Sequence, residues 1–435
     1  VRVVVLFTRD LRVHDHPALW EATRVADEVV PLFVLDPLLL ARSPNRGRFL
    51  AQCLIDLDRS LASRGGRLVV REGDPAAQAA ALAGAYGCDA VFVTEDVSAT
   101  ARARERRLRE ALAPLGVELR TFPGNAVVEA GAVHPSERTT YRVFTPYLRA
   151  WRAHPRRTVL PAPRAVRTPV DVEPGRLPHP AAIAPTATDL PPGGEGPARR
   201  RLRRFVADGT GRYGDLRNDL AADATSRLSP YLRFGCISAT EAAAIGGGAD
   251  RSGEWIRQLA WRDFFRQLLH AHPWMVARDL RPHRAVRTVA DDRLLDAWAQ
   301  GRTGVPIVDA GMRQLLHEGW MPNRARLITA SYLTRTLGVP WQEGLRIFDR
   351  HLLDGDPANN AGNWQWVAGT GVAPRRGAAL NPVRQAQRFD PRGDYVRRHV
   401  PELAHVHDAR ILRPWVDADL LAATGYPAPA AGPIT

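Results

Sequence analysis

The chain opens Val1-Arg2-Val3-Val4-Val5-Leu6-Phe7, and Thr8-Arg9-Asp10 follows at once. An apolar, β-branched run with no polar alternation reads as a strand buried on both faces. It is too short, and too poor in basic residues ahead of it, to read as a signal peptide. Val29–Leu35, Arg67–Arg71, Ala90–Thr94 and Glu118–Phe122 read as further strands. Between them Arg48–Arg64, Pro75–Tyr86 and Ala99–Leu115 carry helical patterns. Strand and helix in alternation predict an α/β N-terminal domain over residues 1–130, a doubly wound parallel sheet. Ligands of such sheets sit beyond the strand carboxyl ends, so Thr8-Arg9-Asp10 is placed to line a crevice. No Gly-x-Gly-x-x-Gly follows the first strand, which removes the dinucleotide fingerprint.

Residues 131–197 read as a Pro-rich interdomain connector. The stretch 155–197 holds eleven prolines and no aromatic residue, so it cannot build a core of its own. A loop this long is expected either to wrap over its neighbours or to be partly disordered. From 198 to 435 the apolar residues recur at spacings of three and four. Trp255–His270, Asp292–Gln300, Pro306–Glu318, Ala325–Leu337 and Trp341–Leu353 are the clearest helices. Nine of the eleven tryptophans fall after residue 250, and the pattern predicts an all-α C-terminal domain.

Composition narrows the function. The 435 residues are 45% hydrophobic and 24% charged, ordinary for a globular protein. No apolar run reaches the ~18 residues of a membrane span. Three scattered cysteines exclude a disulfide framework and a Cys-rich metal site, and point to a reducing, cytoplasmic setting. All 60 basic residues are Arg. Without lysine there is neither a P-loop nor a pyridoxal-phosphate Schiff base. A formal charge of +14 suggests a polyanionic partner, nucleic acid first.

Four segments carry candidate chemistry. Thr225-Ser226-Arg227-Leu228-Ser229-Pro230 puts three hydroxyls and a guanidinium before a helical run, either as donors to an anion or as a plain helix cap. On a helix, Trp255, Gln258, Arg262 and Phe265 share one face, with Trp261 at its edge. That set suits a stacked, hydrogen-bonded base or a core stripe with an exposed Arg. Asp354-Gly355-Asp356 leads through Asn359-Asn360 to Trp364-Gln365-Trp366. Its carboxylates lack the spacing of a calcium loop and can accept from ribose hydroxyls or a heterocyclic N–H. Asn323-Arg324-Ala325-Arg326 opens another helix, with groups for a base edge and for phosphates. The Arg102–Arg109 run reads as a solvated helix face, and no histidine set has metal-ligand spacing.

Together with Phe7-Thr8-Arg9-Asp10-Leu11-Arg12-Val13-His14-Asp15-His16-Pro17-Ala18-Leu19 and Arg388-Phe389-Asp390, these segments resemble the DNA photolyase/cryptochrome family over nearly the whole chain. Within it the chain looks most like the microbial class I enzymes that act on cyclobutane pyrimidine dimers. The resemblance implies FAD in the helical domain, held by Tyr213, Thr225, Ser226, Arg227, Leu228, Ser229, Trp255, Arg262, Arg326, Asp354, Gly355, Asp356 and Asn360. It implies DNA contacts from Arg217, Gln258, Trp261, Asn323, Arg324, Leu327, Trp366 and Gln385. Asn360 would face the flavin, and Trp364 and Trp341 match the first two members of an electron-transfer chain. The implied reaction is light-driven electron transfer to a dimer in UV-damaged DNA, with no metal and no acid–base pair. Photolyases are among the enzymes that take their target base out of the duplex stack, so the resemblance also implies a flipped-out dimer. A deazaflavin or a folate antenna on the first domain is implied as well, as is a monomer. The alternative within the family is a cryptochrome-like FAD photoreceptor without repair activity.

The sequence departs from the family pattern in four places. Gln258 stands where Glu is usual, Leu327 where Met is usual, and Pro322 where His is usual. The third tryptophan of the electron chain falls near Thr288, so Trp298 or Tyr332 becomes a candidate exit.

Overall fold

The computed structural model describes residues 1–136, 139–282, 291–372 and 379–432. Five strands form one parallel sheet: β1 (Arg2–Phe7), β2 (Glu28–Leu35), β3 (Val69–Glu72), β4 (Ala90–Thr94) and β5 (Glu118–Phe122). Their spatial order is β3-β2-β1-β4-β5. The opening run thus lies at the centre, and Val3 through Phe7 are at most 1% exposed. Val3 pairs in register with Val29 on one side and Ala90 on the other. The chain leaves β1 toward β2 and later crosses back to β4, so the strand order reverses at β1. That reversal is where an open parallel sheet leaves a crevice at its carboxyl edge.

Helices α1 (Pro17–Val25), α2 (Pro44–Ala62), α3 (Pro75–Ala85) and α4 (Ala99–Leu112) connect and flank the strands. Their starts are written in the sequence. His16, Ser43, Asp74 and Ser98 each accept a first-turn backbone N–H, and proline occupies the first helical position in α1, α2 and α3. Val4 and Leu6 pack with Val30, Leu32, Val69, Val91, Val93, Leu108 and Leu112 in one core. The solvated face expected of Arg102–Arg109 holds for Arg106, Arg107 and Arg109, which are exposed. Arg102 instead turns to donate to the His270 carbonyl, and Arg104 is half-buried.

The chain divides into two compact units. The first comprises residues 1–185, 191–211 and 226–273; the second comprises 186–190, 212–225 and 274–435. Besides the sheet, the first unit holds α5 (Phe144–Ala153), α6 (Glu195–Asp208), α7 (Ser229–Phe234) and α8 (Glu254–Ala271). The proline-rich stretch is ordered. Val29 donates to the Arg167 carbonyl, Val166 to that of Arg64, and Val70 to that of Pro174, so residues 166–174 are pinned along the first unit.

The second unit is helical: α9 (Asp292–Ala299), α10 (Pro306–Glu318), α11 (Asn323–Ser331), α12 (Trp341–His351), α13 (Pro357–Ala368) and α14 (Pro382–Phe389), with shorter turns between. Trp298, Met312, Leu315, Ile328, Tyr332, Leu333, Phe348 and Trp364 share its core. The helix expected to run to Leu337 stops at Ser331. It continues as a wider turn over Tyr332–Thr336. No helix among the described residues is long and apolar enough to cross a membrane.

Candidate cofactor and nucleic-acid site

In the second unit, Asp356 caps α13 by accepting from Asn359 N and Asn359 Nδ2, at 3.0 and 2.8 Å. The cap fixes the start of a helix on which Asn360 and Trp364 stand one turn apart, on one face. Trp364 is 2% exposed, and its ring closes on Phe348 at 4.9 Å and on Trp298 at 6.1 Å. Gly344 permits that packing, because a Cβ there would sit 2.2 Å from the indole. Asp354, just ahead of the helix, takes a two-pronged hydrogen bond from Arg326 at 3.0 and 2.8 Å. Arg326 is itself held by its Nε on the Met321 carbonyl. Gly355 is buried between the two carboxylates, and Tyr213 is buried as well.

Among the buried polar atoms of this unit with no hydrogen-bond partner among the described residues are Thr225 Oγ1 and Trp364 Nε1. A buried donor left unmatched costs about 1–3 kcal/mol, so such atoms need a guest or a reason. One hydroxyl, one indole N–H and the half-buried Asn360 amide suit a polar heterocycle with phosphate groups. On that observation these residues fit FAD.

Arg324, on the same α11 as Arg326, faces a different environment. Its Nε and Nη2 donate to Asn218 Oδ1, its Nη1 reaches Gln385 Oε1 at 3.5 Å, and it lies over the Phe389 ring. All of these partners are neutral. Burial, then Arg388 and Arg217, lowers its proton affinity. Arg217 and Arg388 lie close to Arg324, whose own hydrogen-bond partners include no carboxylate, and form with it an anion-seeking patch. Asn323 is exposed beside it, while Leu327 and Trp366 are half-buried. Asn218 supports Arg324 and was not singled out from sequence, and Phe389, though part of the Arg388-Phe389-Asp390 motif, gave no sign of this contact.

The first unit carries the remaining predicted residues. Ser226 Oγ accepts from Trp255 Nε1 at 3.4 Å, and Trp255 packs against Gly246. Arg227 holds a left-handed backbone, φ +47°, which is rare for a residue with a long side chain and marks the stretch as special. Leu228 is buried and Ser229 exposed. Gln258 Nε2 donates to the Glu254 carbonyl one turn back. Arg262 Nη1 donates to the Asn125 carbonyl at 2.6 Å and lies 3.3 Å from Asp263. Trp261 is stacked flat on Phe144, at 3.6 Å and 6°, so one face of the indole is covered. Phe144 carried no sequence signal for this contact.

Beyond the carboxyl ends of β1 and β4 lies a buried, charged cluster. Arg9 Nη1 and Arg266 Nη1 each reach Asp96, from opposite oxygens, at 3.1 Å. Arg266 is 2% exposed, and its Nε and Nη2 have no partner among the described residues; Thr8 Oγ1 is in the same condition. Asp10 is buried, which would raise its pKa, yet the His16 imidazole 3.1 Å away brings it down to about 2. Arg266 and Asp96 lay too far off in sequence to be joined to Thr8-Arg9-Asp10.

Comparison with known proteins fits this geometry. Residues 3–166 match the family described as DNA photolyase, and residues 255–432 match the FAD binding domain of DNA photolyase. A deoxyribodipyrimidine photo-lyase of Streptomyces griseus is 47% identical over 431 residues, covering 95% of this chain and 92% of that protein. The chain belongs to the DNA photolyase family. Among solved photolyases, a bacterial class III enzyme from Agrobacterium tumefaciens matches at 31% identity and a TM-score of 0.90, over 100% of this chain and 94% of that one. An archaeal photolyase from Sulfolobus tokodaii, solved with two FAD molecules, matches at 29% identity and 0.88, over 99% and 96%.

Proposed function

We propose that this photolyase-family protein splits cyclobutane pyrimidine dimers in UV-damaged DNA under blue light, using FAD. The observation that carries the reading is α13: an indole N–H buried without a protein partner, one turn after a half-buried Asn. The 47% identity to a deoxyribodipyrimidine photo-lyase supports the same lyase activity. Bound FAD would supply the light-excited electron that opens the dimer. Tyr213, Thr225, Ser226, Arg227, Leu228, Ser229, Trp255, Arg262, Arg326, Asp354, Gly355, Asp356 and Asn360 would hold it. Arg217, Gln258, Trp261, Asn323, Arg324, Leu327, Trp366 and Gln385 would hold the lesion and its strand. Trp261 would present to the dimer the face that Phe144 leaves open. In this reading residues 198–435 serve flavin and DNA, and the protein acts as a cytoplasmic monomer.

A second chromophore, a deazaflavin or a folate, is proposed for the crevice beyond β1 and β4. The buried, unmatched donors of Arg266 and Thr8 support an anionic ring or tail there.

The test is repair. The reduced protein is mixed with a thymine-dimer oligonucleotide, and thymine absorbance is followed in blue light and in the dark. Recovery confined to light is expected. No recovery with FAD bound and reduced would remove the repair reading and leave a photoreceptor.

Two variants probe the DNA side. Arg324→Ala is expected to weaken binding across sequences and to lower the salt slope of log K by about 1, the share of one phosphate contact. An unchanged slope in a filter-binding or fluorescence titration would place Arg324 off the backbone. Gln258→Glu is expected to leave the repair quantum yield within about twofold, since both side chains can hydrogen-bond a thymine ring and one such bond contributes about 1 kcal/mol net. A larger gain would show that the missing carboxylate had been limiting.

A further inference from the structure

Trp341 opens α12 and is 4% exposed. Its Nε1–H donates to Asp279 Oδ1 at 2.7 Å. That distance is typical of a hydrogen bond in which one partner is charged. Among the described residues, Asp279 has no cation and no other donor. It is half-buried, so water reaches it while its acceptor oxygen faces the indole.

The loop that carries Asp279 is fastened from both sides. Gln365, fully buried on α13, donates its Nε2 to the Met275 and Arg278 carbonyls, at 2.7 and 3.0 Å. Its Oε1 accepts from Leu280 N at 2.8 Å, and Arg281 N donates to the Thr370 carbonyl. The residues on either side of Asp279 are therefore tied to the helix that bears Trp364. Trp341 in turn lies one turn from Gly344, on whose bare backbone the Trp364 ring rests.

Trp298, Tyr332 and Trp341 share the core in which Trp364 lies, and their polar ends differ. Trp298 touches Trp364, but it is fully buried and its Nε1 donates to the Thr329 carbonyl, which cannot take a proton at neutral pH. Tyr332 is fully buried, and its hydroxyl has no partner among the described residues. Neither could release a proton after losing an electron. Trp341 alone of the three has a carboxylate on its N–H. The position where a third tryptophan is usual, near Thr288, lies outside the described residues.

We propose that Asp279 is the proton acceptor that makes Trp341 the end of the electron chain. The inference rests on the FAD reading above. Bound FAD, oxidised and excited by light, would supply the one-electron oxidant, and Trp364 would be the residue that gives up the electron. Trp364 regains it from Trp341, whose indole becomes a radical cation. That cation is a far stronger acid than neutral indole. Its Nε1 proton moves along the existing hydrogen bond to Asp279, giving a neutral indolyl radical and a carboxylic acid. Total charge is unchanged by the last step, and the return of the electron to Trp364 is blocked until the proton comes back. An external thiol later restores one electron, and the proton returns with it. Asp279 is a positioning residue in this scheme, since it acts on the flavin only through Trp341.

The experiment is flash photolysis of the FAD-loaded protein with its flavin oxidised, reading the absorption of the tryptophan radical. Wild type is expected to pass from radical cation to neutral radical. In Asp279→Asn the hydrogen bond can persist but the base is gone, and formation of the neutral radical is expected to slow by about 10²-fold, the usual contribution of a positioned base. Asp279→Ala, which also removes the carboxylate, serves if the Asn variant fails to load flavin. Unchanged neutral-radical formation in either variant overturns the proposal, as does a neutral radical that survives Trp341→Phe. A wild-type flash that yields no tryptophan radical at all, with flavin bound, overturns it too. A purified protein with no flavin overturns the FAD reading itself. A second readout needs no flavin: the indole N–H resonance of Trp341, assigned by its loss in Trp341→Phe, is expected to shift when Asp279 becomes Ala. An unmoved resonance shows the contact absent in solution and ends the proposal independently.

Discussion

Asp354→Ala is expected to destabilise the second unit by about 3–5 kcal/mol, the usual consequence of stranding one member of a buried ion pair. The Asp354 side chain is 5% exposed and that of Arg326 24%, so water replaces the lost carboxylate only in part. The bond is two-pronged, and the Arg326 Nε is already engaged on the Met321 carbonyl. The guanidinium therefore has no second site to turn to without breaking the start of α11. Thermal unfolding followed by calorimetry measures the loss. The double variant Arg326→Met/Asp354→Leu removes both charges and is expected to recover much of the stability, because the penalty comes from the unpaired charge and not from the absent bond. If the double variant is as unstable as Asp354→Ala, shape at this point matters more than charge. Flavin content reports separately: the pair belongs to the proposed FAD set, so both variants are expected to purify with less flavin per chain than wild type.

What could be read in advance follows the range of the interactions involved. The β1 run declared itself because a central parallel strand must be apolar on both faces, and its shortness and β-branched residues set it apart from a buried helix. β4 and β5 came out at their expected bounds, Ala90–Thr94 and Glu118–Phe122, and α10 at Pro306–Glu318. Proline at the first position and glycine just past the end left little freedom for α10. The helix expected over Ala325–Leu337 was misjudged past Ser331, since a widened turn keeps the same apolar spacing and differs only in its hydrogen bonds. Contacts between distant segments were not legible. Nothing near Asp279 hints that Gln365, 86 positions on, holds its loop, or that Trp341 donates to it. Arg266 looked like one more arginine on an amphipathic helix until Asp96 came beside it. Contiguous motifs, such as Asp354-Gly355-Asp356 leading to Asn359-Asn360, were visible; pairs formed only by folding were not.

The same distinction separates two tryptophans that look alike in sequence. Trp364→Phe is expected to slow flavin photoreduction by more than about tenfold, a barrier rise above about 1.4 kcal/mol, because a phenyl ring is much harder to oxidise than an indole. Trp364 is the candidate first donor: it stands one turn after Asn360, is almost wholly buried, and its N–H has no protein partner among the described residues. Steady blue illumination with an external thiol, following loss of the oxidised flavin absorption, gives the rate. Trp298→Phe is the matched control, with an indole of equal burial 6.1 Å from the first. Its rate is expected to stay near wild type, since Trp298 donates to a carbonyl and has no base to hold its proton. Core packing is disturbed in both variants, as each removes part of a buried ring, so a general loosening would slow both alike. Equal slowing would therefore mean that photoreduction tracks the packing around Phe348. Slowing confined to Trp364→Phe and Trp341→Phe would mean that the route follows the indole whose proton has somewhere to go.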